Sequence, residues 1–212
     1  MRRIANRLSH RLLACVALLC GAAAVCGPTH AGTGAAQGPG SGALIAGVFS
    51  PPRAAPEFTL RASDGGTLHI GNYRGKVVVL AFGYSTCREV CPVTLSILAH
   101  ARARLGADAD DVQVVYVTVD PERDDVARMH EFLALFDKSF IGGSGKPDEL
   151  AAVRKQYGIS ATRHDTPDGY VIAHSSFVYL IDRRGELRAL MPFGHGIDDF
   201  AHDMRLLVNE RR

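Results

Sequence analysis

The chain alternates between short, almost unbroken apolar runs and longer segments whose apolar residues recur every three or four positions. Residues 76–82 (KVVVLAF) and 112–119 (VQVVYVTV) are β-branched and apolar nearly throughout, the pattern of strands covered on both faces. From Pro92 to Leu105, the spacing of Val93, Leu95, Ile97, Leu98 and Leu105 predicts a helix ending near Gly106. From Asp124 to Phe136, Val126, Met129, Phe132, Leu133 and Phe136 keep the same period. Lys146-Pro147 opens a shorter helix through Tyr157. EFTL and TLHI, joined by Ser63-Asp64-Gly65-Gly66, predict an N-terminal β-hairpin, and SSFVYLID and ELRALM around Arg183-Arg184-Gly185 predict a second. Asp198 to Val208 closes the chain as a helix. Helix-linked buried strands followed by an antiparallel pair predict an α/β sandwich. Its mixed central sheet is flanked by helices and preceded by the N-terminal hairpin.

Composition changes this picture mainly at the start of the chain. Arg2, Arg3, Arg7 and Arg11 precede an apolar run over residues 12–25, and Thr29-His30-Ala31 supplies small residues before Gly32. That layout predicts a secretory signal peptide, residues 1–31, cut after Ala31. The run is shorter than the roughly 20 residues that cross a bilayer, so an uncleaved membrane anchor is the alternative. A lipid-bearing Cys26 is disfavoured by the bulky Val25 before it. Residues 32–50 are rich in Gly and Ala and predict a flexible tether, leaving residues 51–212 as one domain. Loss of the leader removes Cys15, Cys20 and Cys26 and leaves 20 basic against 22 acidic residues. The basic balance therefore belongs to targeting, and no later basic run is interleaved with aromatics, which excludes nucleic acid as a partner. The expected location is the periplasmic side of a bacterial inner membrane, soluble or tethered, where two nearby cysteines can form a disulfide.

Those cysteines, Cys87 and Cys91, stand in VVVLAFGYSTCREVCPVTLSIL, at the end of the first buried strand. Pro92 suits a first helical position, which predicts both thiols in the loop and cap leading into the helix. The positive helix end favours thiolate there, and Arg88 adds charge of the same sign. The residues alone leave four readings open: a structural disulfide, inert buried thiols, a redox pair, or part of a metal site. A disulfide closing so short a loop constrains the unfolded chain little. Structural zinc takes four protein ligands and the mature chain has no third cysteine. Two thiolates and one imidazole suit copper, as Cu(I) or Cu(II). Of the remaining histidines, His69 lies in the first hairpin, His100, His130 and His202 lie on helices, His164 lies in a polar loop, and His195 follows a glycine near the last turn. His174 stands immediately before the strand expected at 175–181. The order of elements, with thiols just after the first central strand, is the thioredoxin arrangement, in which the loop entering that later strand lies beside the cysteines. Asp120 ends the second central strand on the same rim, either capping the next helix or pairing with Arg123, or else tuning the site. Asp124 is the expected helix N-cap.

FGYSTCREVCP, VTVDPERDD and HSSFVYLID, in that order and spacing, resemble the SCO/SenC family of exported, thioredoxin-fold copper proteins. The resemblance spans about residues 50 to 210. It implies Cys87, Cys91 and His174 as ligands of Cu(I) and Cu(II). It also implies delivery of copper to the dinuclear copper centre of cytochrome c oxidase subunit II, or reduction of that centre's cysteines. An exported copper donor and a thiol reductant are the further implied partners. Two positions depart from the family pattern: Arg88 replaces a proline and Ala173 replaces an aspartate. The first bears on thiol acidity and the second on Cu(II) affinity. The alternative function is a thiol–disulfide oxidoreductase acting on exported proteins, with Cys87 and Cys91 as its redox pair. A peroxide-reducing thiol enzyme would carry threonine three residues before its reactive cysteine, where this chain has Tyr84.

Overall fold

A computed structural model describes residues 42–210; the expected signal peptide lies outside them. Chain order runs β1 (Gly47–Ala54), β2 (Thr59–Ala62), β3 (Thr67–His69), β4 (Val77–Gly83), α1 (Val90–Ala103), β5 (Val112–Thr118) and α2 (Val126–Ala134). It continues through β6 (Ile141–Ser144), α3 (Pro147–Tyr157), β7 (Ala161–Thr166), β8 (Gly169–His174), β9 (Phe177–Ile181), β10 (Glu186–Pro192) and α4 (Ile197–Asn209). Eight strands form one sheet in the order β1-β10-β9-β4-β5-β6-β2-β3, while β7 and β8 pair separately. The β4–β5 and β5–β6 pairs are parallel; the remaining pairs are antiparallel. This is the expected mixed sheet flanked by helices.

The strand–helix alternation explains the layering. All seven β4 side chains or backbone positions are buried, as a run such as VVVLAFG requires. Successive side chains point to opposite faces. Phe82 therefore meets Tyr157 of α3, with ring centroids 5.7 Å apart. On the other face, Tyr116, in register with Ala81, meets Phe132 of α2 at 6.3 Å. The sheet is thus sandwiched at its centre, and the C-terminal ends of β4 and β5 open at one edge.

Several elements depart from the sequence-based expectation. The stretch expected to be tether, 32–50, is ordered at its end: Gly47 to Ser50 belong to β1, which pairs with β10 through Gly47↔Leu190 and Val48↔Ala189. The prolines and small residues of GVFSPPRA hide a strand that sits at the sheet edge, where proline is tolerated. Strand β6 is IGGS, and its glycines are closely packed by neighbouring side chains. A Cβ on Gly142 would lie 3.0 Å from Leu133 and one on Gly143 2.8 Å from Leu68. Strands β7 and β8 replace the expected polar loop around His164; most of their side chains are exposed, and the half-buried face of β8, with Tyr170, Ile172 and His174, is not set apart by residue type. Among the described residues no helix is long and apolar enough to cross a membrane.

Candidate functional site

The loop between β4 and α1 is held from below by Asp124. This carboxylate is fully buried and accepts from Ser85 N at 3.0 Å, Ser85 Oγ at 2.6 Å and Thr118 Oγ1 at 2.7 Å. Three donors compensate a charge that burial alone would make costly. The helix cap expected at Asp124 is instead Asp125, whose side chain accepts from Arg128 N. Arg128 also donates to Ser85 Oγ at 3.1 Å, tying α2 to the cysteine loop.

Helix α1 begins at Val90, two residues before the expected start, so Cys91 lies inside the first turn and not in the loop. Pro92 is accommodated because its missing N–H belongs to the group without intrahelical partners. Both thiols are free; Cys87 is half-buried and Cys91 buried. A hydrogen bond with Cys91 is the main influence lowering the Cys87 thiol to about 5. Partial burial opposes it, whereas the Cys91 and Glu89 amides and the His174 ring reinforce it. Cys91 is pushed the other way, first by its bond to Cys87 and then by burial. Arg88 is exposed and is not among the groups acting on Cys87.

His174 ends β8, two residues short of the strand it was expected to precede directly. Its Nε2 lies 3.6 Å from Cys91 Sγ, although 83 positions separate them in sequence. Nδ1 is 3.0 Å from the Ser175 carbonyl oxygen, which only accepts. That bond assigns the proton to Nδ1 and turns the Nε2 lone pair toward sulfur. The ring stands edge-on to Tyr84, with centroids 5.9 Å apart.

Alternate residues of β8 dock on the rim of the main sheet. Tyr170 OH donates to Asp120 Oδ1 at 2.8 Å, and Ile172 N donates to Tyr84 OH at 3.3 Å. Arg123 pairs with Asp120 and donates from Nη1 to the Tyr170 carbonyl at 3.1 Å. The Tyr170 ring is stacked between Arg123 and Arg163, whose Cζ atoms lie 3.7 and 3.6 Å from its centroid. Asp120, 2% exposed, therefore pairs with Arg123 and also fixes the strand that ends in His174. Its side-chain partners are Arg123 and Tyr170, not the thiols.

Tyr116 escaped the sequence reading. It is fully buried; burial, reinforced by the neighbouring Cys91 sulfur, keeps its hydroxyl protonated well beyond the ordinary range, and among the described residues that hydroxyl makes no hydrogen bond of normal geometry. The signal was a tyrosine inside a strand covered on both faces, where a hydroxyl needs somewhere to go. A narrow cleft lined by Cys91, Thr94, Tyr116, His174, Ser176 and Phe177 opens beside it.

The sequence-singled Cys87, Cys91 and His174 are thus brought together as two adjoining contacts with Cys91 at the centre. Among the described residues, no three His, Cys, Asp or Glu side chains already converge as a closed cage. The donor chemistry nevertheless fits a soft ion: a thiol acidic enough to ionise near neutrality, a second sulfur, and an imidazole whose free nitrogen faces that sulfur.

The chain is similar to known proteins in sequence and fold. The SCO1/SenC family model matches residues 49–209. The chain is 32% identical over 165 residues to Protein SCO1 homolog 1, mitochondrial, of Arabidopsis thaliana, covering 76% of this chain and 47% of that protein. It spans about half the length of the curated relatives it matches first. The structure of Bradyrhizobium japonicum ScoI with copper bound superposes with a TM-score of 0.68 at 32% identity, covering 73% of this chain and 99% of that one. Arabidopsis thaliana ScoI with copper bound gives 0.68 at 29% identity over 72% and 97% of the two chains.

Proposed function

The chain belongs to the SCO1/SenC family, and from that premise we propose that it is an exported copper-binding assembly factor whose ligands are Cys87, Cys91 and His174. The observation that carries the reading is the imidazole nitrogen set 3.6 Å from the Cys91 sulfur with its other nitrogen occupied by a carbonyl. The copper-bound ScoI relatives support copper as the cargo. Two thiolates and one imidazole make a sparse donor set, so ligands of a receiving protein can add to the ion before the donors here let go. The recipient is the dinuclear copper centre of cytochrome c oxidase subunit II. The support for this partner is the motif resemblance, together with the description of the Sco family as cytochrome c oxidase assembly proteins. A copper donor and a thiol reductant act on the same exported face, to which the basic, apolar N-terminus of residues 1–31 directs the chain.

Anaerobic copper titration of the reduced protein tests the reading. One copper per chain is expected, with sulfur-to-copper charge-transfer absorption for Cu(II). Cys87→Ala and Cys91→Ala should abolish tight loading of either oxidation state. His174→Ala should chiefly weaken Cu(II), because two thiolates alone satisfy Cu(I). Unchanged affinity of H174A for both states removes the ligand assignment.

A second reading is favoured by the unequal thiols. The half-buried, acidic Cys87 is poised as a nucleophile, with Cys91 buried behind it. Cys87 thiolate would attack a partner disulfide and release one partner thiolate; Cys91, giving up its proton, would then attack the mixed disulfide. The partner leaves as a dithiol and this chain keeps the Cys87–Cys91 disulfide, two electrons having passed. The two activities part at H174A, which retains reduction of a disulfide substrate while its Cu(II) loading is weakened.

A further inference from the structure

Beneath the thiols lies a polar atom that neither reading uses. Among the described residues the Tyr116 hydroxyl is buried without a hydrogen-bond partner, a condition that native interiors rarely tolerate. Its position is set by three constraints. Strand β5 fixes the backbone, Phe132 packs on the ring with centroids 6.3 Å apart, and Gly83 leaves the space above it open. A Cβ on Gly83 would overlap the Tyr116 hydroxyl and lie 2.8 Å from Cys91 Sγ. The missing side chain therefore creates one small space shared by the phenol oxygen and the sulfur. A phenol is a good donor, and a thiol sulfur is a weak acceptor that becomes a strong one when ionised or metal-bound.

We propose that the Tyr116 hydroxyl donates a hydrogen bond to the Cys91 sulfur, making Tyr116 a positioning residue for the thiol pair. In the reduced, metal-free protein the bonds form a relay, Tyr116 O–H to Cys91 sulfur and Cys91 S–H to Cys87 sulfur. Each donor polarises the next, so the phenol strengthens a bond it does not itself make. In a Cys87–Cys91 disulfide the same sulfur is a poorer acceptor, and the phenol thereby favours the reduced pair. Its value for holding copper rests on the reading above; the hydrogen bond does not.

Two metal-free measurements on Tyr116→Phe test this. The first is the equilibrium of the Cys87–Cys91 pair against dithiothreitol. Y116F should move it toward the disulfide by about threefold to tenfold; an unchanged equilibrium overturns the proposal. The second is a double-mutant cycle by urea unfolding under reducing conditions, with Cys91→Ala as the other variant. Y116F should destabilise the otherwise unaltered protein. In the C91A background it should be neutral or stabilising, because there it deletes a hydroxyl with no partner. Equal effects in the two backgrounds show a purely packing role and overturn the proposal. Since neither measurement uses metal, a negative result here leaves the copper reading standing. Positive coupling in a protein that fails to bind copper removes that reading alone.

Discussion

Cys87 and Cys91 share a first-turn neighbourhood, yet their surroundings drive them apart. Cys87 receives the Cys91 S–H and two backbone amides, whereas Cys91 faces a filled interior. In reduced, metal-free protein, carbamidomethylation of Cys87 followed by mass spectrometry against pH should show a midpoint near 5. Cys91 should stay unmodified until the fold is opened. Cys91→Ala should move the Cys87 midpoint upward, because the principal stabilising donor is gone. A Cys87 midpoint near the ordinary thiol value of about 8.5 in the unaltered protein would contradict the hydrogen-bond account. The sign for stability follows from the same depression. The unfolded chain binds the Cys87 proton more tightly, so the contribution to the reduced fold is complete above the unfolded thiol range. It declines as pH falls and is lost on passing through about 5. The cysteines themselves were legible from spacing alone. Which one is acidic was not, since that depends on which sulfur the helix start buries. Arg88, adjacent in sequence, points to solvent instead.

Strand β8 is an element whose position the main sheet does not determine. Among the described residues it pairs with β7 alone, and its hold on the thiol side comes from Tyr170, Ile172 and His174 in alternation. Arg123 is the keystone, bonded to Asp120 and to the Tyr170 carbonyl and stacked on the Tyr170 ring. Arg123→Met leaves the Asp120 carboxylate buried without its cation and should cost about 3 kcal/mol in urea unfolding. Tyr170→Phe removes one hydrogen bond to that carboxylate and should cost about 1–2 kcal/mol. In both variants, amide exchange over residues 169–174 should accelerate more than in β4 or β5, and Cu(II) should be held less tightly than Cu(I). Uniform acceleration across the sheet would show that the cluster stabilises the fold generally and does not position His174. Asp120 and Arg123 were visible in the sequence as a pair three residues apart. Their grip on Tyr170 was not, because ATRHDT is polar almost throughout and GYVIAH, whose burial does alternate, has no matching alternation of apolar and polar residue types. By contrast β4 and β5 were readable because burial on both faces demands the apolar run that defines them. The nearness of His174 to Cys91 was readable only through the fold those two strands imply.

At the scale of the whole molecule, the start of the described residues and the last helix close on each other. Asp203 of α4 is fully buried and accepts from Ile45 N at 2.8 Å and Ala46 N at 2.9 Å, with His202 Nδ1 also 2.9 Å away. This contact, across more than 150 positions, fixes Ile45 and Ala46 to the fold, inside the stretch whose composition predicts a tether. Glycine and alanine content describes local stiffness but says nothing of a distant carboxylate waiting for backbone amides. The consequence can be measured by comparing proteins of residues 42–212 and 51–212. The shorter one loses both amide donors, the burial of Ala46, and the Gly47↔Leu190 and Val48↔Ala189 pairing that covers the β10 edge. It should be less stable by about 3–6 kcal/mol, the scale of two hydrogen bonds to a buried charge. With half of β10 uncovered, it should also self-associate more readily. Asp203→Ala separates the causes. In the longer protein it should be strongly destabilising, since two buried amides lose their acceptor. In the shorter protein it should cost much less, because those amides are no longer present. Equal penalties in the two lengths would mean that Asp203 serves α4 alone and that residues 45–48 rest on the sheet without being anchored to it.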